Sequence, residues 1–325
     1  MVLQVRIAGT GSVTPGRRVT TAEQARRVQP PRDGAEVERR TGIATRYVAP
    51  PQATFASLAA AAVQAAAEAA GVEVTALKRL IYVNSTNGDM VVPATSNLIA
   101  ARLGLAGSCD CFDVNNGCMG FLTGIDLAAR SVVTGLGPIV VVSSEMGSRC
   151  TMPEDPRPFL VFGDAAAAAV ITAGDDGGGI LASWLRNDGN AAGEVTLASG
   201  VLTHRRETVR FGTPSARMME LALGLFRRGI DAVLSQAQLS LAEIEWIVPH
   251  QPNGSMLTTI IETLAIDPDR VVPIVQEVGS LASASIGIGL DRLLRTRAVQ
   301  PGDRILMTGV GAGLSCGSIL YRVGA

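Results

Sequence analysis

Hydrophobic and polar positions alternate at the start of the chain, where Val2-Leu3-Gln4-Val5-Arg6-Ile7 predicts a β-strand with one buried face. Two later apolar runs have a different character. Met119 to Val133 and Ile286 to Leu294 are apolar over most of a helical circumference rather than along one stripe, so both are predicted to be helices buried on all sides. Small residues crowd their approaches, with Gly117 and Gly120 in the first and Ala282, Ser283, Ala284 and Gly287 in the second, as expected where two helices pack closely. Outer helices are marked by polar faces: Thr54 to Ala70 carries Gln64 and Glu68, and Ala216 to Gln238 carries Arg217, Glu220, Arg227, Arg228 and Asp231.

The pattern repeats along the chain. Leu80-Ile81-Tyr82-Val83-Asn84 resembles Trp246-Ile247-Val248-Pro249-His250 at an offset of 166 residues, and Ile139-Val140-Val141 aligns with Ile305-Leu306-Met307 at the same offset. Asp113-Val114 likewise matches Glu277-Val278 at 164. Each half reads strand, helix, short strand, long apolar helix, strand, the alternation of an α/β protein. The expected organisation is two duplicated α/β halves, residues 1–172 and 173–325, related by a pseudo-twofold axis between the central helices.

A chain of 325 residues with 47% hydrophobic and 18% charged residues folds compactly, which excludes disorder and small stapled scaffolds. The formal net charge of −1 offers no electrostatic basis for binding nucleic acid or an anionic membrane. No apolar run has the length of a membrane span, since the Ala-rich stretch is interrupted at Gln64 and Glu68. The N-terminus lacks a basic head and cleavage site, so a cytoplasmic protein is expected. Five cysteines without a C-x-x-C predict neither a disulfide framework nor a zinc site. Gly9-Thr10-Gly11 lacks the third glycine of a dinucleotide fingerprint and reads as a turn. No cofactor is expected.

Two residues carry candidate chemistry. His250 directly follows the apolar strand Ile244 to Val248, where α/β sheets place ligand sites, while His204 lies in a polar stretch. Cys118 follows the turn-forming string Asp113-Val114-Asn115-Asn116-Gly117 just before a buried helix. The macrodipole and free amides there favour a thiolate, so a thiol pKa below the ordinary value of about 8.5 is expected. Gly309-Val310-Gly311-Ala312-Gly313 follows the strand Ile305 to Thr308; it is not a Walker loop, and its backbone amides are available to face a ligand.

Five segments in order resemble the β-ketoacyl-acyl carrier protein synthase III enzymes of the thiolase superfamily. Arg40-Thr41-Gly42-Ile43 resembles the early R-T-G-I motif, Asp113 to Phe121 the nucleophile elbow, and Phe162-Gly163-Asp164-Ala165 the F-G-D-G/A segment. Pro249-His250-Gln251-Pro252-Asn253 is similar to the P-H-Q-A-N loop, and Gly279 to Ser285 to G-N-T-S-A-A-S. The resemblance implies a five-layered α-β-α-β-α sandwich, usually homodimeric, acting on acyl thioesters of acyl carrier protein or coenzyme A. It implies that Cys118 is acylated with the carbonyl oxygen held by the amides of Cys118 and Ala312. A malonyl thioester then decarboxylates, its enolate oxygen stabilised by His250 and an asparagine. Arg40, Arg157 and Asn253 are implied to bind substrate.

The asparagine is replaced by Ser280, which offers one donor where an amide offers two. Losing an oxyanion donor costs about 3 kcal/mol. Three functions follow: decarboxylative condensation, acyl transfer to an oxygen or nitrogen nucleophile with His250 as base, or a non-catalytic subunit of a heterodimeric synthase. Glu36 stands where the family often has a tryptophan that stacks on adenine, Arg157 is one position out of register, and Ser255, Glu262 and Glu220 thin the usual carrier-docking patch. Arg217, Arg227 and Arg228 are candidates for a shifted patch. Val92 falls near the segment that lids the acyl tunnel in relatives and permits a longer or branched chain.

Overall fold

A computed structural model describes residues 2–174, 177–204 and 207–324. Its first part comprises β1 (Val5–Val13), β2 (Arg17–Thr20), α1 (Thr21–Arg27), α2 (Gly34–Thr41), β3 (Thr45–Val48), α3 (Phe55–Ala70), β4 (Arg79–Val83), α4 (Thr95–Arg102), β5 (Asp110–Val114), α5 (Gly120–Val133), β6 (Ile139–Met146), α6 (Pro156–Phe159) and β7 (Asp164–Ala173). The second comprises β8 (Gly179–Asn187), β9 (Val195–Thr196), α7 (Gly200–Thr203), β10 (Arg210–Phe211), α8 (Ser215–Ala237), β11 (Trp246–Pro249), α9 (Gly254–Thr263), α10 (Val275–Val278), α11 (Ala284–Thr296), β12 (Arg304–Gly311) and β13 (Ser315–Arg322).

Two mixed sheets organise these elements. One has the order β1-β7-β6-β4-β5, and the other β11-β12-β13-β8. The parallel pair β4/β6 followed by antiparallel β7 and β1 is matched by the parallel pair β11/β12 followed by antiparallel β13 and β8. The match stops at β5. Glu277 and Val278, expected as its counterpart, lie instead in the helical turn α10. Gln251 Oε1 accepts from the amides of Ile274 and Val275, satisfying groups that a strand would have bonded to a neighbour.

Strand alternation sorts the core into layers. Leu80, Tyr82, Val140, Val142 and the even-numbered alanines of β7 face α3 and α4, whereas Ile81, Val83, Val141 and the odd-numbered ones face α5 and α11. In the second sheet Met307, Ile319 and Val248 face the same central helices, while Ile247, Leu306 and Leu320 face α8 and α9. The succession is helix, sheet, helix, sheet, helix: a thiolase-type α/β sandwich.

The central helices meet closely. A Cβ on Gly287 of α11 would stand 2.8 Å from the Phe121 ring of α5 and 2.7 Å from Ala167 of β7, so only hydrogen fits there. Helix α11 is buried continuously from Ala284 to Asp291, as its pattern predicts. Helix α5 departs from expectation, with Leu127 and Val133 exposed. A second departure is at the N-terminus, where Gly9 and Gly11 form no turn but lie inside β1. Cβ atoms there would press within 2.3 Å and 2.5 Å of the α3 backbone amides of Ala70 and Ala66, so these glycines allow a helix to lie directly on a strand. Among the described residues, no helix is long and apolar enough to cross a membrane.

Candidate active site

The turn between β5 and α5 is held by its own side chains. Asp113 accepts the amides of Thr95 and Ser96 at 2.8 Å each, anchoring the start of α4. Asn115 Oδ1 accepts the Gly117 amide at 3.1 Å, and Asn116 donates to Thr123 while accepting from Ser315 of β13, both at 2.8 Å. Gly117 takes the left-handed conformation, φ 52°, and Met119 occupies the N-cap of α5. Cys118 is thereby pinned between the two sheets at the head of a buried helix.

From the opposite side comes the end of β12. A Cβ on Gly311 would stand 2.9 Å from the Cys118 nitrogen and 3.2 Å from its Cβ, and one on Gly309 would stand 3.2 Å from the His250 Cβ. Residues two apart share a face of a strand, so one face of β12 presents Cys118 and His250 about 7 Å apart along its length. The amide N–H groups of Ala312 and of Cys118 itself are directed to the Cys118 sulfur and favour its ionised form. His250 extends the β11/β12 pairing through its amide, bonded to the Thr308 carbonyl at 2.8 Å, and is buried with no partner on Nδ1 among the described residues.

Cys118 opens on a cavity of about 430 Å³ lined by Ser85, Thr86, Phe162, Leu197 and Leu281 among others. Ser280 is buried beside it, and the next two residues, Leu281 and Ala282, form part of the wall. The Ser280 backbone pairs with the Phe162-Gly163 segment, since its amide donates to the Val161 carbonyl and its carbonyl accepts from Gly163. Asp164, next in that segment, accepts the amides of Ala49 and Ser148 at 2.7 and 2.9 Å.

The electrostatics reverse one expectation. The Cys118 thiol is not lowered but pushed up to about 12, chiefly by burial and then by the charge of Glu145, against the two amides that favour the thiolate. The helix N-terminus acts over only one turn, and here desolvation outweighs it. Burial holds His250 down at about 4, so the imidazole is neutral throughout the physiological range. Glu145, which no motif singles out, ends β6 inside the cavity with its carboxyl pushed up to about 7 by burial. A carboxylate closing the otherwise uncharged strand Ile139–Met146 is the signal in the sequence that could have found it.

The remaining candidates lie outside the cavity lining. Arg40 is exposed on α2 and paired to Glu36 at 3.5 Å. The guanidinium of Arg157 lies 4.2 Å from the Phe211 ring centroid and bonds the Thr213 carbonyl. Asn253 caps α9 by accepting the Met256 amide at 2.8 Å. His204 is exposed in a left-handed conformation at the end of α7. Gly42, also left-handed, lets α2 end directly against Gly254 of α9, the local reason for the glycine in Arg40-Thr41-Gly42-Ile43.

Two family models match these segments: 3-oxoacyl-[acyl-carrier-protein] synthase III over residues 112–189, and its C-terminal region over residues 234–323. A β-ketoacyl-[acyl-carrier-protein] synthase III of Neisseria meningitidis serogroup C is 30% identical over 323 residues, 98% of both chains. The chain belongs to the β-ketoacyl-acyl carrier protein synthase III family. The solved synthase III structure from Aquifex aeolicus superposes on 98% of this synthase III-family chain and 99% of its own, with a TM-score of 0.90 and 27% identity. The structure of a priming β-ketosynthase from the R1128 polyketide pathway matches equally, with a TM-score of 0.90, 28% identity and coverage of 98% and 96%. The family thus accounts for the five motifs, and its thiolase fold for the layered sandwich.

Proposed function

We propose that this protein carries an acyl group as a thioester on Cys118 and condenses it with a malonyl-type thioester by decarboxylative Claisen chemistry, in fatty-acid-like or polyketide biosynthesis. The observation that carries the reading is the pair of amides, from Cys118 and Ala312, directed at the Cys118 sulfur on the wall of a cavity. Donors placed there hold the oxygen that turns anionic when the sulfur attacks a carbonyl. Loss of carbon dioxide from the malonyl unit then leaves an enolate. His250, kept neutral by burial, has an N–H to offer that oxygen, and the hydroxyl of the buried Ser280 is assigned as the second donor. The enolate carbon attacks the acyl carbon, the thioester C–S bond to Cys118 breaks, and the departing thiolate takes a proton from solvent to return Cys118 as a thiol.

Arg40 and Arg157, outside the cavity, suit the carrier end of the thioester rather than its acyl end. Arg217 is tied to Glu220 at 2.7 Å and Arg227 to the Thr263 carbonyl at 3.0 Å, so Arg228 is the most available cation of this group on α8 for a carrier protein. We further propose a cytoplasmic homodimer formed through the open edge of β5. Retention of Cys118 and His250 argues against a non-catalytic partner.

Ser280 decides between condensation and acyl transfer to oxygen or nitrogen. Ser280→Asn is expected to raise carbon dioxide release from malonyl thioester, because it adds the second donor. If the serine instead leaves room for an acceptor alcohol or amine, the bulkier amide obstructs transfer while acylation of Cys118 persists. Carbon dioxide and product mass are followed together for both proteins. An ester or amide product with no release from malonyl on any carrier would overturn the condensation reading.

A further inference from the structure

Beyond the Cys118 sulfur and the amides, the cavity contains one carboxylate, Glu145, the only acidic residue in its lining among the described residues. It is 2% exposed, and its largest interactions are with neutral groups. Oε1 accepts from the Ser85 amide at 2.9 Å and from the Ser283 hydroxyl, and Oε2 accepts from the Ser85 hydroxyl at 2.9 Å. Behind these, the Ser143 and Ser283 hydroxyls share a bond of 2.7 Å, so the loop after β4, β6 and the start of α11 all meet at this group. The titratable groups that feel its charge are Cys118, ahead of α5, and Tyr82, on β4.

Two acids in one desolvated space cannot both ionise cheaply, and they titrate as a pair. A proton lost from Cys118 to water leaves two negative charges facing each other. A proton passed from Cys118 to Glu145 leaves one, and the repulsion that opposes the thiolate vanishes in the same step. His250 does not line the cavity into which Cys118 opens, and it is left for the second half-reaction.

We propose that Glu145 is the proton acceptor for Cys118 in the acylation half-reaction, acting directly or across one water. The inference rests on Cys118 being the nucleophile. The S–H bond of Cys118 breaks and its proton moves to a Glu145 carboxylate oxygen. The sulfur bonds to the acyl carbon, the thioester C–S bond breaks, and the departing thiolate takes the proton back from Glu145. Cys118 thiol and acyl thioester thus become acyl-Cys118 and free carrier thiol.

The test measures single-turnover acylation of Cys118 by intact mass and peptide mapping, with acyl N-acetylcysteamine thioesters of short and medium chain length, across pH 5.5 to 9. Only the ionised carboxylate accepts a proton, so the wild-type rate rises with pH through about 7 and then levels. Glu145→Gln is expected to lose that limb and to acylate about a hundredfold more slowly at pH 8. Its alkylation by iodoacetamide is expected to be unchanged or faster, because the opposing charge is gone, and Glu145→Asp is expected to restore the limb.

Acylation of Glu145→Gln at the wild-type rate or above would overturn the proposal and leave Glu145 as a charge that merely keeps the thiol protonated. Acylation and alkylation slowed alike, with the limb retained, would also overturn it in favour of a structural role. Should Glu145→Gln misfold, Ser283→Ala removes one bond that favours the carboxylate and must move the limb to higher pH; an unmoved limb refutes the assignment. A wild-type protein that gains no acyl group on Cys118 would refute the nucleophile reading itself, and this one with it.

Discussion

Environment sets reactivity at Cys118 and His250 more than residue type does. The thiol at the head of α5 meets three influences of different sign: burial and Glu145 oppose its ionisation, and two amides favour it. His250 meets only burial, which keeps its imidazole neutral, and its Nδ1 has no partner among the described residues. A buried polar atom left unpaired is costly, and sites tolerate it where a substrate completes the bond. His250→Ala is therefore expected to acylate Cys118 within a fewfold of wild type while product formation falls by a hundredfold or more, read as intact mass against steady-state turnover. Failure of the variant to acylate at all would place His250 in the first half-reaction instead.

At the scale of elements, glycines set how closely strands and helices approach. Gly311 faces the Cys118 backbone and Gly309 faces His250, so the end of β12 can pass between the turn before α5 and the loop after β11. Gly311→Ala would place a methyl carbon 2.9 Å from the Cys118 nitrogen, where backbone on both sides prevents an easy escape. The expected result is a loss of about 1–3 kcal/mol in stability. Displacement of the sulfur from the Ala312 amide should also slow acylation by tenfold or more. Thermal melts and single-turnover mass measurements check the two separately. Gly9 and Gly11 work in the same way on the outside, where they seat α3 on β1.

For the whole molecule, the two sheets differ at their edges. Among the described residues, strand β5 leaves one side of the five-stranded sheet unpaired, and Met90, Val91 and Val92, in the loop after β4, are among the most exposed large apolar residues. An open strand edge and an exposed apolar segment are both liabilities in a monomer. A twofold pairing of β5 with its copy would remove the first, since antiparallel strands related by a twofold axis are self-complementary. The double change Val91→Asp with Val92→Asp is expected to weaken the dimer if that segment is covered in it. Light scattering with size-exclusion chromatography reads this directly, and a monomeric wild type would remove the homodimer from the proposal.

Much of this was legible in the sequence because it rests on local or periodic chemistry. The buried helix α11, the outer helices α3 and α8, the α/β alternation, and the placing of Cys118 and His250 at the ends of elements all follow from spacing and side-chain type. Other features depend on what folding brings together. That Gly9 and Gly11 belong to a strand depends on α3, more than fifty residues on, lying against them; that residues 275–278 coil rather than extend depends on Gln251 reaching their amides. The thiol's resistance to ionisation and the role proposed for Glu145 arise from burial and from a carboxylate 27 positions away in the chain, brought beside Cys118 by the packing of β6 against α5. Periodicity reports which face of an element is buried, but the charge state of a group depends on everything around it, and only the tertiary structure determines that.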